Sequence, residues 1–264
     1  MFQGKISILF RCLESIGTRW CRGAFGTLKP MLKAILWDMD GTLVDSEPLW
    51  GIAADEMSEK MGRKLTPELH EKIIGVTFEE TVTICANHAG ITLTDDIFRH
   101  YYDITLERVA ELFQQKLAPN PGVRELLTEL SQQGMPMMVA TNTVRKLADM
   151  AIDAVGRDFF TATICGDEVE YGKPAPDMYL AAARMLGVEA KDCLVFEDSI
   201  AGMKAAYTAG CSVIGLPEAG IYPPEGITTL QQLRGCNSFD GVTATDVRQW
   251  FNTQPSKHVE EWHK

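Results

Sequence analysis

Five short apolar runs punctuate the chain, each ending abruptly at polar or turn-forming residues: Leu32 to Trp37, Met135 to Ala140, Thr161 to Cys165, Cys193 to Phe196 and Ser212 to Leu216. Runs of this length with such boundaries predict buried β-strands. Between them the apolar period lengthens to that of a helix. Val123 to Gln133 carries Leu126, Leu127 and Leu130 on one face and stops at Gly134, and Met178 to Leu186 stops at Gly187. Both glycines suit the left-handed position that closes a helix. Strands alternating with helices imply parallel crossovers, and therefore an α/β fold with a doubly wound parallel sheet.

The first two runs lie much farther apart than the later ones, so a segment is inserted between them. Its pattern is helical: Ile52, Met57 and Met61, then Phe78, Val82, Cys85 and Ala89, then Ile97, Tyr101, Ile104, Val109 and Phe113. Thr66 and Pro67 fit an N-cap followed by proline at the first helical position. The expected organisation is a basic N-terminal extension over 1–30, a core formed by 31–45 and 119–250, an inserted helical domain over 46–118, and a tail over 251–264.

Composition narrows the function. A formal charge of -11 and a pI near 5.0 argue against a general grip on nucleic acid, which needs a basic face to displace phosphate counterions. An anionic substrate must then be held by local charge. The seven cysteines are scattered without C-x-x-C spacing, so no disulfide framework or zinc knot is indicated and the cytoplasm is the default location. No apolar run is long enough to span a membrane. The first thirty residues set Lys5, Arg11, Arg19, Arg22 and Lys29 against Glu14 alone. They fit a targeting segment, an interfacial helix, or a leader ahead of a true start at Met31.

Chemistry concentrates where strands end. Asp38-Met39-Asp40-Gly41-Thr42 follows the first strand, and two carboxylates two residues apart face one side if strand geometry persists. At the carboxyl end of a parallel sheet they stand in the crevice where such folds bind ligands. A calcium loop is excluded, because its twelfth position, counted from Asp38, is Leu49 rather than Glu. Glu197-Asp198 ends another strand, and carboxylates from two strands suit a hard divalent cation such as Mg2+. Ser199 fits the N-cap of the following helix. Thr141-Asn142 closes a third strand with a hydroxyl and an amide at a helix start, positioned to receive phosphate or merely to cap the helix. Lys173 sits in a loop bracketed by Gly172, Pro174 and Pro176, which restricts its ammonium.

These four strings, in this order, resemble the haloacid dehalogenase-like (HAD) superfamily over roughly residues 31 to 216. The resemblance implies a Rossmann-like core with an inserted α-helical cap that chooses the substrate. It implies that Asp38 attacks phosphorus to form an aspartyl phosphate, and that Asp40 protonates the leaving oxygen and then activates water. Thr141, Asn142 and Lys173 would hold phosphate. Asp38, the Asp40 backbone carbonyl and Asp198 would bind Mg2+, with Glu197 supporting or joining them. Phe78 stands where β-phosphoglucomutases of the family carry an arginine for a second phosphate, which favours a hydrolase over a mutase. The string Asp45 to Trp50 looks like that of small sugar-phosphate phosphatases, although Ser46 could simply cap the next helix. The expectation is a monomeric Mg2+-dependent phosphatase acting on a small-molecule phosphate ester. The alternatives are a phosphomutase and a non-catalytic binding protein on the same scaffold.

Overall fold

The computed structural model describes residues 30–73, 76–218 and 220–254. The basic extension up to residue 29, and the part of the expected tail from residue 255 onward, lie outside the described residues. Six parallel strands form one sheet: β1 (Ala34–Trp37), β2 (Met137–Ala140), β3 (Ala162–Ile164), β4 (Cys193–Glu197), β5 (Ser212–Gly215) and β6 (Thr228–Thr229), in the order β3-β2-β1-β4-β5-β6. Five of these coincide with the apolar runs. The sixth has only two residues, too few to show a period.

Strand periodicity builds two cores, one on each face of the sheet. Ile35, Trp37, Val139, Leu194, Phe196 and Ile214 point to one face, and Ala34, Leu36, Met138, Ala140, Val195 and Val213 to the other. The first face is covered by α5 (Val123–Gln132), α6 (Arg145–Val155) and α10 (Ala244–Thr253), the second by α7 (Asp177–Met185) and α8 (Ile200–Thr208). Trp37 stacks on Phe196 at 4.6 Å between centroids, and Phe239 meets both rings edge-on. Each such side chain contributes about 1.5–3 kcal/mol by leaving water. Phe251 is buried against the first face, so the packed chain continues past residue 250. Before α10, the short α9 (Leu230–Arg234) follows β6 directly.

Between β1 and α5 come four helices: α1 (Glu47–Lys60), α2 (Pro67–Ile73), α3 (Phe78–Ala89) and α4 (Asp95–Lys116). Thr77 and Glu80 form a capping box at the start of α3, and Thr94 caps α4. Met57, Met61, Leu65, Val82 and Cys85 make a small core of their own. The long α4 serves two cores: Phe98, Tyr101 and Tyr102 pack on the small one, whereas Val109, Leu112 and Phe113 join the sheet core. Ile52, read from sequence as part of the helical core, packs on the sheet core instead. Entry and exit of the segment lie side by side, with the Asp45 amide donating to the Ala118 carbonyl at 3.2 Å and Val44 bridging Pro119.

Candidate active site

Register puts the two acid pairs together. Trp37 pairs with Phe196, and the Asp38 amide donates to the Phe196 carbonyl at 3.1 Å, so Asp38 and Glu197 emerge beside each other at the β1–β4 boundary. This is where strand order reverses, the place at which open α/β sheets leave a crevice.

Lys173 reaches into the crevice from the loop before α7. The residue is only 6% exposed, and its ammonium donates to Asp38 Oδ1 at 2.5 Å and to Glu197 Oε1. Asn142 holds that loop through its backbone: its amide nitrogen donates to the Lys173 carbonyl at 3.2 Å, and its Oδ1 accepts from the Lys173 N–H at 2.9 Å. Gly172 permits the approach, because a Cβ there would stand 2.8 Å from Asn142 Oδ1. Asn142, read from sequence as a phosphate contact, is thus engaged in positioning Lys173. Neither it nor Thr141 caps α6, whose N-cap is Val144.

Glu197 is fully buried and saturated. Oε1 accepts from Lys173 and from the Tyr179 hydroxyl at 2.9 Å, and Oε2 accepts from the Ser199 amide at 3.1 Å and the Ser199 hydroxyl at 3.0 Å. Ser199 also caps α8 by accepting from the Gly202 amide. A Cβ on Gly202 would lie 1.7 Å from Glu197 Oε1, so only glycine fits.

Asp40 is likewise saturated, from two directions. From the core, Thr143 donates at 2.7 Å and Thr141 at 3.4 Å to Oδ2; from α1 and its N-cap, Ser46 donates at 2.6 Å and the Trp50 indole at 3.3 Å to Oδ1. Ser46 therefore serves Asp40 and makes no side-chain cap bond to α1. The Asn120 amide ties the loop down by donating to the carbonyls of Gly41 at 2.9 Å and Thr42 at 3.0 Å.

Two acids are left open. Asp38 Oδ2 is buried with no hydrogen-bond partner, and Asp198 has none among the described residues. Burial, then the charge of Glu197, raises Asp38 to about 8 against the pull of Lys173. Burial, then the charges of Asp38 and Glu197, likewise pushes Asp198 well above the usual carboxylate range. Burial works to lower the pKa of Lys173, and its two carboxylate partners more than reverse this. Asp38, Glu197 and Asp198 offer oxygens all within 4.8 Å of one another. A Cβ on Gly41 would stand 1.9 Å from Asp198 Oδ2, so the bare backbone makes room for that carboxylate. Hard oxygen donors, crowded and short of positive charge, fit a divalent cation.

Sequence reasoning missed Tyr179, Thr143 and Trp50 as members of this network. Tyr179 occupies a core position of α7, and its one signal is that a buried phenol must find an acceptor. Trp50, four residues after Ser46, lies on the same helix face, a spacing that could have been read. Among the histidines, His70 pairs with Asp55 at 2.9 Å and His88 Nε2 meets the Lys64 carbonyl at 2.9 Å, both in the helical segment. His258 and His263 lie outside the described residues.

Residues 35–216 match the haloacid dehalogenase-like hydrolases. The phosphorylated carbohydrates phosphatase of Thermotoga maritima is 33% identical, over 68% of this chain and 82% of its own length. The bifunctional riboflavin kinase/FMN phosphatase of Arabidopsis thaliana is 30% identical, and this chain spans half of that longer protein. Among solved structures, CbbY from Rhodobacter sphaeroides in complex with xylulose-1,5-bisphosphate aligns with a TM-score of 0.69 and 26% identity, covering 82% of this chain and 99% of that one. The chain belongs to the haloacid dehalogenase-like hydrolase family and is an enzyme of its phosphatase type. No helix among the described residues is long and apolar enough to cross a membrane.

Proposed function

We propose that the chain hydrolyses small phosphate monoesters, sugar phosphates foremost, in a Mg2+-dependent reaction that passes through a phosphoryl group carried on Asp38. One observation carries this reading: Asp38 has one oxygen pinned by Lys173 and the other buried without a partner, as an in-line nucleophile needs. The carbohydrate phosphatase of Thermotoga maritima supports the substrate class.

In the first displacement an Asp38 oxygen forms a bond to phosphorus while the bond to the leaving alcohol breaks. Asp40 gives that alcohol its proton. Water then attacks the phosphoryl group, Asp40 takes its proton, and the Asp38–phosphorus bond breaks to restore the carboxylate and release phosphate. Lys173 neutralises charge beside the transferring group, and Thr141 brings its hydroxyl from the end of the neighbouring strand β2. Asp38, Asp198 and the Asp40 carbonyl would hold Mg2+, with Glu197 beside them. When bound, the ion offsets the charge that develops on the phosphoryl oxygens. The four-helix segment acts as a cap that excludes water from the intermediate. Free thiols at Cys85, Cys165 and Cys193 support a cytoplasmic setting.

The test is phosphate release from sugar phosphates, nucleoside monophosphates and glycolate phosphate, with and without Mg2+, by wild type and Asp38→Asn. Metal-dependent release that disappears in the variant supports the proposal. Release indifferent to Asp38 refutes the nucleophile, and positional transfer without free phosphate turns the assignment to a mutase.

A further inference from the structure

The first turn of α1 brings another acid to the site. Glu47 and Trp50 are three residues apart and so share a face of the helix. That face meets Asp40, to which Trp50 donates at 3.3 Å and Ser46, the residue before Glu47, donates at 2.6 Å. The Glu47 carboxyl is half-buried and within electrostatic reach of Asp40, Glu218 and Asp45, and it bears in turn on Asp198. Glu218, whose charge bears on Glu47, lines with Gly41 and Asn120 a cavity of about 640 Å³ next to the loop that carries Asp40.

Glu47 nevertheless accepts no hydrogen bond and joins no ion pair among the described residues. A partly desolvated carboxyl hemmed in by like charge is costly unless a ligand satisfies it. Its place at a helix N-terminus offsets part of that cost. Trp50, which donates to Asp40, continues into an aromatic cluster, with Trp50 and Phe78 at 5.4 Å and Phe78 and Tyr102 at 5.1 Å between centroids. The cation set against the acids is Lys173, already bound to Asp38 and Glu197.

We infer that Glu47 is a specificity-determining residue: it accepts hydroxyl hydrogen bonds from the alcohol moiety and, with Glu218, excludes esters that carry a second negative charge. This rests on the phosphatase reading above. A carboxylate accepts from neutral hydroxyls and repels a second phosphate or a carboxylate at short range.

Matched esters test it. Glucitol 6-phosphate and 6-phosphogluconate, both open chains, differ in the carboxylate at one carbon, and fructose 6-phosphate and fructose 1,6-bisphosphate in one phosphate. Wild type should favour the neutral member of each pair by about tenfold or more in kcat/KM, equivalent to about 1.4 kcal/mol. Glu47→Gln should bring the ratio toward one, chiefly by lowering KM for the anionic member. Glu218→Gln, on an exposed loop, should shift it the same way by less, and it guards against misfolding of the first variant. A ratio unchanged in both variants, or an equal loss on both members of a pair, overturns the role of Glu47. Wild type that hydrolyses both members equally overturns this inference alone, whereas release from no ester overturns the phosphatase reading.

Discussion

At the end of β1 the second acid of the pair, Asp40, is saturated with hydrogen bonds, whereas at the end of β4 it is the first, Glu197. Each takes four donors, and each leaves its partner acid, Asp38 or Asp198, open. The donors differ in origin. Those of Glu197 come from the sheet core and the cap of α8, so its position is fixed wherever the core is folded. Those of Asp40 come half from the core and half from α1 and its N-cap, so its orientation depends on the helical segment resting against the sheet. Saturation holds Glu197 and Asp40 in fixed orientations, which a proton-transferring Asp40 needs, and leaves the desolvated oxygens of Asp38 and Asp198 for ligands and for attack.

The contrast breaks most completely at Asp38. Asp38→Asn should lower phosphate release by at least about 10³-fold with far-UV circular dichroism unchanged, since it removes the reacting oxygen's charge and leaves the packing in place. Glu197→Ala should act on the fold instead. It strips Lys173 and Tyr179 of a shared acceptor and should lower the unfolding free energy, measured in urea, by about 3–5 kcal/mol. Asp198→Asn should do the reverse in chelated protein, raising the melting temperature while activity is lost, because it neutralises a carboxyl that burial disfavours.

A smaller effect should appear with pH. Asp38 at about 8 and Glu47 at about 7 are both raised above their unfolded values near 4. The stability linked to them is therefore fully present below about pH 4 and lost as pH rises through 7 and 8. Metal-free wild type should weaken across that range, and Glu47→Gln should flatten the decline by about 2 kcal/mol in urea titrations at several pH values. The smallest differences lie inside the Asp40 clamp. Thr143→Val, which removes a 2.7 Å bond, should cost about tenfold in kcat, and Trp50→Phe, which removes a 3.3 Å bond, about threefold.

The strand ends were legible because each couples an apolar run to an abrupt acid, hydroxyl or loop lysine, a local signal in one stretch of chain. Thus Asp38, Asp40, Thr141, Lys173, Glu197 and Asp198 were found without coordinates, and the structure gathers them around one crevice. What escaped depends on the third dimension. Asn142 lies next to Thr141 in sequence but faces the Lys173 loop, a direction no spacing encodes. Gly202 looks like any helical glycine until the Glu197 carboxylate is seen in the space its Cβ would fill. Ile52 fits the helical stripe of α1 yet turns toward the sheet, because α1 lies between two cores. β6 is too short for alternation to declare itself.

The seam at Val44–Pro119 and Asp45–Ala118 has a consequence for how such proteins diversify. Because the chain leaves the sheet and returns to it at neighbouring points, the intervening helices form a closed excursion whose replacement leaves the sheet's register and both acid pairs untouched. Splicing another set of helices between those points exchanges Glu47, Trp50 and Phe78 together and keeps Lys173 and Asp38 in place. Selectivity can therefore be inherited, lost or borrowed as one contiguous piece of gene, independently of the reaction it serves.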